Sequence, residues 1–302
     1  MKLRAVLVLA LVLASVTGTA LAVPNPNPKS CKDTGDRVTK IELLEHLSKA
    51  PQLLILGSSR ARIAMPATVE QLTGRTAFNA GVHGGGSADE YVFTRLLAQR
   101  FPHARPAYLI FVDVNIGGDG VNPELADEPL AKPFLASAAS ATKTTCVPNG
   151  WYSADGGLAY PPPLDKAQRE ERVAKALVGA AAGIRADAKK PRYINPSSTK
   201  WFRKLLSFAN AQGATPVIVL NPIYPTVFKL REKYGFPELK AAKAYLAWLR
   251  RKHYRFVFVN GENIHKWGGK ASDFNNIDHI DRKNMDRLLR YVVRHSDGVL
   301  TR

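Results

Sequence analysis

The sequence predicts an α/β fold built on a mostly parallel sheet of about five strands, covered by helices on both faces. Three observations carry that expectation. Short, nearly uninterrupted apolar runs recur along the chain, as at Leu53-Leu54-Ile55-Leu56 and Pro216-Val217-Ile218-Val219-Leu220. Segments with helical spacing separate them. Glycines close two of the runs on their carboxyl side, Gly57 after the first and Gly84-Gly85-Gly86 after the second. A strand wetted on one face would alternate apolar and polar residues, so a continuous run means burial on both.

The elements follow in order. Residues 23–36 open with VPNPNP and read as an extended leader. Ile41, Leu44 and Leu47 mark a short amphipathic helix. Leu53 to Leu56 is the first strand and Thr76 to Val82 the second. Ser87 then opens a helix, with Glu90 three residues on completing a capping box. Its stripe is Phe93, Leu96, Leu97 and Phe101, and Tyr108 to Val114 is the third strand. Residues 117–163 have no period and are rich in Gly, Pro, Ala and Ser, which reads as an insertion or cap over one end of the sheet. Lys166 to Lys190 is helical with Val173, Leu177 and Ile184 inward, and Trp201 to Ala211 is a further helix. The fourth strand ends at Leu220; a helix from Glu238 to Arg251 leads to the fifth, Arg255 to Val259. The last helix starts near Asp281 with Met285, Leu288, Leu289 and Val292 on one face. No internal repeat or interdomain linker interrupts residues 37–302, which read as a single domain.

Residues 1–22 have the three parts of a secretory signal: Lys2 and Arg4, an apolar run from Ala5 to Ala14, and Ala20-Leu21-Ala22 as the cleavage site. The run is short for a bilayer span, so cleavage and export to the periplasm or the medium are expected. Cys31 and Cys146, an even pair in an exported chain, are expected to form a disulfide. The formal charge of +18 falls to +16 once Lys2 and Arg4 are removed. Outside the cytoplasm such an excess suits acidic polysaccharide, lipid headgroups or cell wall rather than nucleic acid, or it only solubilises the surface.

Residues able to do chemistry collect at the carboxyl ends of the strands, where α/β sheets place their sites. Ser59, in Gly57-Ser58-Ser59-Arg60, stands on a tight strand-to-helix turn that would hold its hydroxyl clear of the sheet, or it caps the helix. Gly84 begins a glycine run ahead of a helix, whose free N–H groups suit an oxyanion or form only a tight turn. Asn115 follows the third strand, and the segment DFNNIDHID (residues 273–281) puts His279 just before the last helix. Arg60 faces an anionic substrate or lies on a helix surface. His83 lines the pocket or points to solvent, and Trp151, Tyr152 and Tyr160 stack on sugars or pin their loop to the core. Neither cysteine has a His or Cys at metal-ligand spacing.

Ser, Gly, Asn and His in this order resemble the SGNH hydrolase superfamily, the GDSL-like esterases. Gly57-Ser58-Ser59 occupies the family's G-D-S block with Ser58 in place of Asp, and Asn79, Gly81 and Gly84 match N-x-G-x-x-G. Asn115 is the match for the third block, outside its usual G-x-N-D context, and His279 fits the histidine of D-x-x-H. The GSSR form looks most like the exported branch linked to acylation of cell-surface polymers. The resemblance implies a flavodoxin-like three-layer sandwich and acyl transfer without metal or organic cofactor. Ser59 would be the nucleophile and His279 the base, with the Ser59 and Gly84 N–H groups and the Asn115 side chain holding the oxyanion. Asn276 holds the acid's usual place, three residues before the histidine. Asp273 is therefore the expected acid if the loop is compact, and Asn276 the orienting group otherwise; Asp278, adjacent to His279, would point the opposite way.

The function so implied is an exported serine-dependent ester hydrolase or O-acyltransferase acting on a cell-surface carbohydrate or lipid ester. Its partners would be an ester-bearing small molecule or an anionic polysaccharide, and a membrane-associated acyltransferase. The alternative is a catalytically inactive module of the same fold that binds an anionic glycan or assists such an acyltransferase.

Overall fold

The computed structural model of the chain describes residues 35–116, 120–135, 152–158, 164–189 and 193–301. The export segment, the leader as far as residue 34, Cys31, Cys146, Trp151 and Tyr160 lie outside the described residues. In chain order the elements are α1 (Asp36–Glu45), β1 (Leu53–Gly57), α2 (Pro66–Thr73), β2 (Ala77–Asn79), α3 (Ser87–Arg100), β3 (Ala107–Val112) and α4 (Pro123–Asp127). Then come α5 (Lys166–Ala188), α6 (Lys200–Ala211), β4 (Val217–Leu220), α7 (Pro225–Lys233), α8 (Pro237–Arg251), β5 (Val257–Asn260) and α9 (Arg282–Arg294).

The five strands form one sheet in the order β2-β1-β3-β4-β5, with every neighbouring pair parallel. This is the doubly wound, flavodoxin-like arrangement. The period of two along each strand splits the apolar runs between two cores. Leu54, Leu56, Ile110 and Ile218 face α1, α3, α6 and α8. Leu53, Ile55, Leu109 and Val219 face α2 and α9. Both layers demand apolar side chains, which is why the runs are continuous. Met285, Leu288, Leu289 and Val292 of α9 are all fully buried. Each burial of that size is worth roughly 1.5–3 kcal/mol, so α9, which follows the histidine loop directly, is fixed firmly against the sheet.

Three local expectations are corrected. β2 stops at Asn79 and not Val82: beyond it Ala80 and Val82 donate single bonds to the Ile55 and Gly57 carbonyls, and the chain climbs over the end of β1. β3 ends at Val112, which leaves Asp113 and Asn115 in the following loop. The cap of α3 lies one residue earlier than expected. Gly86 is its N-cap, and the Asp89 carboxylate accepts the Gly86 N–H at 2.9 Å. Glu90 consequently turns inward and is buried, and burial raises its pKa to about 8. Beyond these, α2, α4 and α7 are helices that the sequence reading does not contain; all three are short and open on a proline, at Pro66, Pro123 and Pro225.

Candidate active site

The strand order reverses between β1 and β3, and the segments leaving their carboxyl ends are Ser58–Arg60 and Asp113–Asn115. Crevices at such reversals are where open α/β sheets hold ligands. Gly57 makes the sharp exit from β1. It adopts φ +140°, and a Cβ there would stand 2.7 Å from the Phe111 carbonyl oxygen and 2.9 Å from the Ala61 Cβ. No larger residue fits, so the next two serines are carried up and out of the sheet.

Asn79 locks the far side of this turn. Fully buried, it donates its amide to the Ala61 and Ala64 carbonyls at 2.9 and 2.7 Å, and its Oδ1 accepts the Gly81 N–H at 2.8 Å. It therefore joins the turn after Ser59 to the loop that leads to Gly84. The Ser59 and Gly84 N–H groups themselves form no hydrogen bond among the described residues.

The segment from Asp273 to Asp281 folds back on itself. Phe274 and Ile280 form an antiparallel bridge, and the Asn275 N–H meets the His279 carbonyl at 2.7 Å. At its tip Asn276 makes an Asx turn, its Oδ1 accepting the N–H groups of Asp278 and His279, both at 2.8 Å. The same oxygen lies 3.1 Å from His279 Nδ1. An amide oxygen can only accept there, so Nδ1 carries the proton and Nε2 holds a lone pair. That lone pair faces Ser59, with Oγ 2.8 Å from Nε2. Burial, and then the Arg60 charge, hold the His279 pKa below its ordinary 6.5, against the opposite pull of Asp278 and Asp113. A neutral imidazole beside a serine hydroxyl at neutral pH is what a general base requires.

Asp273 does not reach His279, although the loop is compact. Arg287, one turn into α9, takes its carboxylate at 2.6 Å, while its carbonyl accepts the Asp281 N–H at 2.8 Å. Asp273 thus anchors the hairpin to α9, and the group touching the imidazole is Asn276. Arg60 also departs from its expected place. It spans Asp113 and Asp278, at 3.3 Å from the latter, and does not line the cleft over Ser59. Asn115 is exposed and opens on a smaller pocket of about 270 Å³ with Ser58, Gly85 and Glu90. The structure therefore brings Ser59, His279 and Asn276 together, and leaves Asn115, Arg60 and Asp273 outside that hydrogen-bonded group.

The salt links of Arg60 make its replacement informative. With Arg60→Gln, the cation that disfavours imidazolium is gone, and Asp278 and Asp113 lose their counter-charge, Asp113 keeping the Asn221 amide at 2.8 Å. Activity that needs neutral His279 should rise, in the parent chain, with a midpoint below pH 6.5, and the variant's acid limb should move to higher pH. An acid limb of kcat/KM that stays put or moves to lower pH would contradict this account of the histidine.

Residues with no visible motif support the loop from behind. Asp36, Arg37 and Lys40, on the first turns of α1, are all buried. Asp36 accepts from the His83 N–H and the Tyr152 hydroxyl. Arg37 forks onto Asp89 at 2.5 and 3.2 Å and reaches the Gly84 carbonyl at 3.4 Å. Lys40 donates to the Asn79 carbonyl at 2.5 Å and to that of Gly156. Burial pulls the Lys40 pKa down to about 7, against the attraction of Asp36.

A cleft of about 610 Å³ opens beside Ser59, Asn276 and His279, bounded by Ile63, Leu158 and Leu164 and by the start of α5 and α9. Leu158 belongs to the expected insertion, whose 152–158 strip also reaches β2 through the Asn79 N–H and the Asp155 carbonyl, 2.9 Å apart.

No family model matches the chain, and no curated protein matches it. Among solved structures it is similar to a protein of Bacteroides fragilis provisionally described as an acylhydrolase. The two are 10% identical, with a TM-score of 0.37, over 87% of this chain and 95% of the other. A likeness of that extent bears on neither activity nor substrate.

Proposed function

We propose that this chain is a serine-dependent ester hydrolase or O-acyltransferase of SGNH type. One observation carries the proposal: Ser59 Oγ and His279 Nε2 are 2.8 Å apart, at the carboxyl edge of a parallel sheet, with Nδ1 held by Asn276. The Ser59 hydroxyl gives its proton to Nε2 as Oγ bonds to the ester carbonyl carbon. The carbonyl oxygen becomes an oxyanion, for which the unpaired N–H groups of Ser59 and Gly84 are the available donors. Collapse breaks the carbon–oxygen bond to the alcohol, which leaves with the proton from His279. A second hydroxyl then repeats the steps on the acyl-serine. Water gives a hydrolase, and a sugar hydroxyl gives a transferase. The signal-like residues 1–22 and the basic charge support an exported protein acting on a cell-surface ester; a membrane-associated acyltransferase is the partner that the SGNH resemblance implies.

A second reading rests on the neutral amide at the third position. With Asn276 where a carboxylate would stabilise imidazolium, the fold could serve as an inactive binding module. Fluorophosphonate labelling separates the two. The active reading expects stoichiometric labelling of the parent protein and none of Ser59→Ala, with the same melting temperature for both. A parent protein that is folded and unlabelled would overturn it.

A further inference from the structure

The cleft beside Ser59 has a charge pattern that the reaction itself does not need. Arg62, Arg169, Arg172, Arg282 and Lys283 line it, and among the described residues Asp281 is its one carboxylate. Across the whole chain the ratio of Lys and Arg to Asp and Glu is only 43 to 25, so five to one is a local concentration. Two of the cations are offset. Arg62 is 3.7 Å from Asp36, and Arg169 acts on Asp281, whose side chain also caps α9 through the Asn284 N–H at 3.0 Å. Arg282 donates to the Leu158 carbonyl, a neutral partner that leaves its charge uncompensated. Arg172 and Lys283 are exposed and form no ion pair within 4.0 Å among the described residues. Lys283 acts at longer range on Asp273, which Arg287 already holds at 2.6 Å, so three positive charges on the walls of α5 and α9 remain in a cleft that also holds Ser59.

We infer that the substrate is an ester carrying a carboxylate or phosphate group, bound between α5 and α9 by Arg172, Arg282 and Lys283. This rests on the ester chemistry proposed above and adds the substrate's charge. Walls of one sign raise the local concentration of the opposite ion, and guanidinium groups suit the planar carboxylate as well as phosphate. The apolar side chains of Ile63, Leu158 and Leu164 in the same cleft give the uncharged part of the ester its contact surface.

Three acetate esters test it: methyl glucoside acetate, methyl glucuronide acetate and acetylated glucose 6-phosphate. The parent protein should favour one or both charged esters over the neutral one by about tenfold in kcat/KM, and the preference should shrink as salt rises. In the double variant Arg172→Gln/Lys283→Gln the charged-to-neutral ratio should fall toward one, with the melting temperature unchanged. The carboxylate and phosphate arms show which anion is the better fit. A ratio near one in the parent, or a preference that survives in the double variant, would overturn the inference. Binding of methyl glucuronide and glucose 6-phosphate to Ser59→Ala, followed by NMR titration, separates this from the ester reading. Salt-sensitive binding that the double variant loses, in a protein whose parent turns over no ester, would refute the esterase and uphold the anionic ligand. Turnover of all three esters at equal rates would do the reverse.

Discussion

His279→Ala is expected to lower kcat on a simple ester by about 10,000-fold or more, because among the described residues it is the group positioned to take the Ser59 proton. The three replacements around it should separate by mechanism. Asn276→Ala removes the acceptor at Nδ1 and two loop hydrogen bonds together. The ring is then free to present either tautomer, and kcat should fall by about 100-fold or more while KM moves little. Asn276→Asp keeps an oxygen in the same place and adds a charge that stabilises imidazolium. It should raise the His279 pKa, moving the acid limb of the rate profile to higher pH, and raise kcat above that of the parent. Asp273→Ala should leave kcat within about threefold and lower the melting temperature, since its carboxylate serves Arg287. The set is read from kcat/KM against pH on one ester, with folding checked by circular dichroism. If Asp273→Ala were as damaging as His279→Ala and Asn276→Ala were silent, the hydrogen bond at Nδ1 would not be the one that matters.

The main lines of the fold were legible because burial on both faces leaves a plain mark: strand residues cannot afford polarity, and the helices between them show a 3.6-residue period. Ser59 and His279 were legible for a related reason, since each follows or precedes an element whose position in the sheet could be read. By charge Asp273 is the natural candidate for the acid, but geometry decides. Asn276 is a good Asx-turn former, and that turn places its oxygen at the imidazole; Asp273, three residues earlier, meets an arginine that only the docking of α9 brings near. The capping box of α3 was set one residue late because Glu90 fits the motif as written, whereas Gly86 needs no side chain and Asp89 supplies the reciprocal bond. Least visible were Asp36, Arg37 and Lys40. Charged residues on a short helix ordinarily mark its wet face, and their partners stand dozens of positions away, Asp89 by 52 and Glu124 by 87.

Arg37→Leu is therefore expected to damage the protein far more than a surface arginine would. Arg37 is 2% exposed and holds two carboxylates at once: Asp89 through a two-pronged contact, and Glu124 through Nη1 at 3.4 Å and its own backbone N–H at 2.8 Å. Removing one side of a buried ionic group strands the other, at a cost of about 3–5 kcal/mol, or roughly 10 °C in melting temperature for a domain of this size. The loss has a direction as well as a size. Asp89 holds the Gly86 N–H, and Arg37 itself reaches the Gly84 carbonyl, so the segment carrying a proposed oxyanion donor loses its rear support. Measured at a temperature where the variant is still folded, kcat should fall by about tenfold or more with KM little changed, as expected when a donor aimed at the transition state drifts. Arg37→Lys keeps a charge without the fork and should fall between the two proteins on both scales. The triple variant Arg37→Met/Asp89→Asn/Glu124→Gln removes the stranded charges and should recover much of the melting temperature. It should not recover kcat, because the fork that positions the Gly84 segment is still missing. Equal recovery of both would mean that Arg37 supports the fold alone, and an Arg37→Leu protein that melts within about 2 °C of the parent with kcat unchanged would mean that it supports neither.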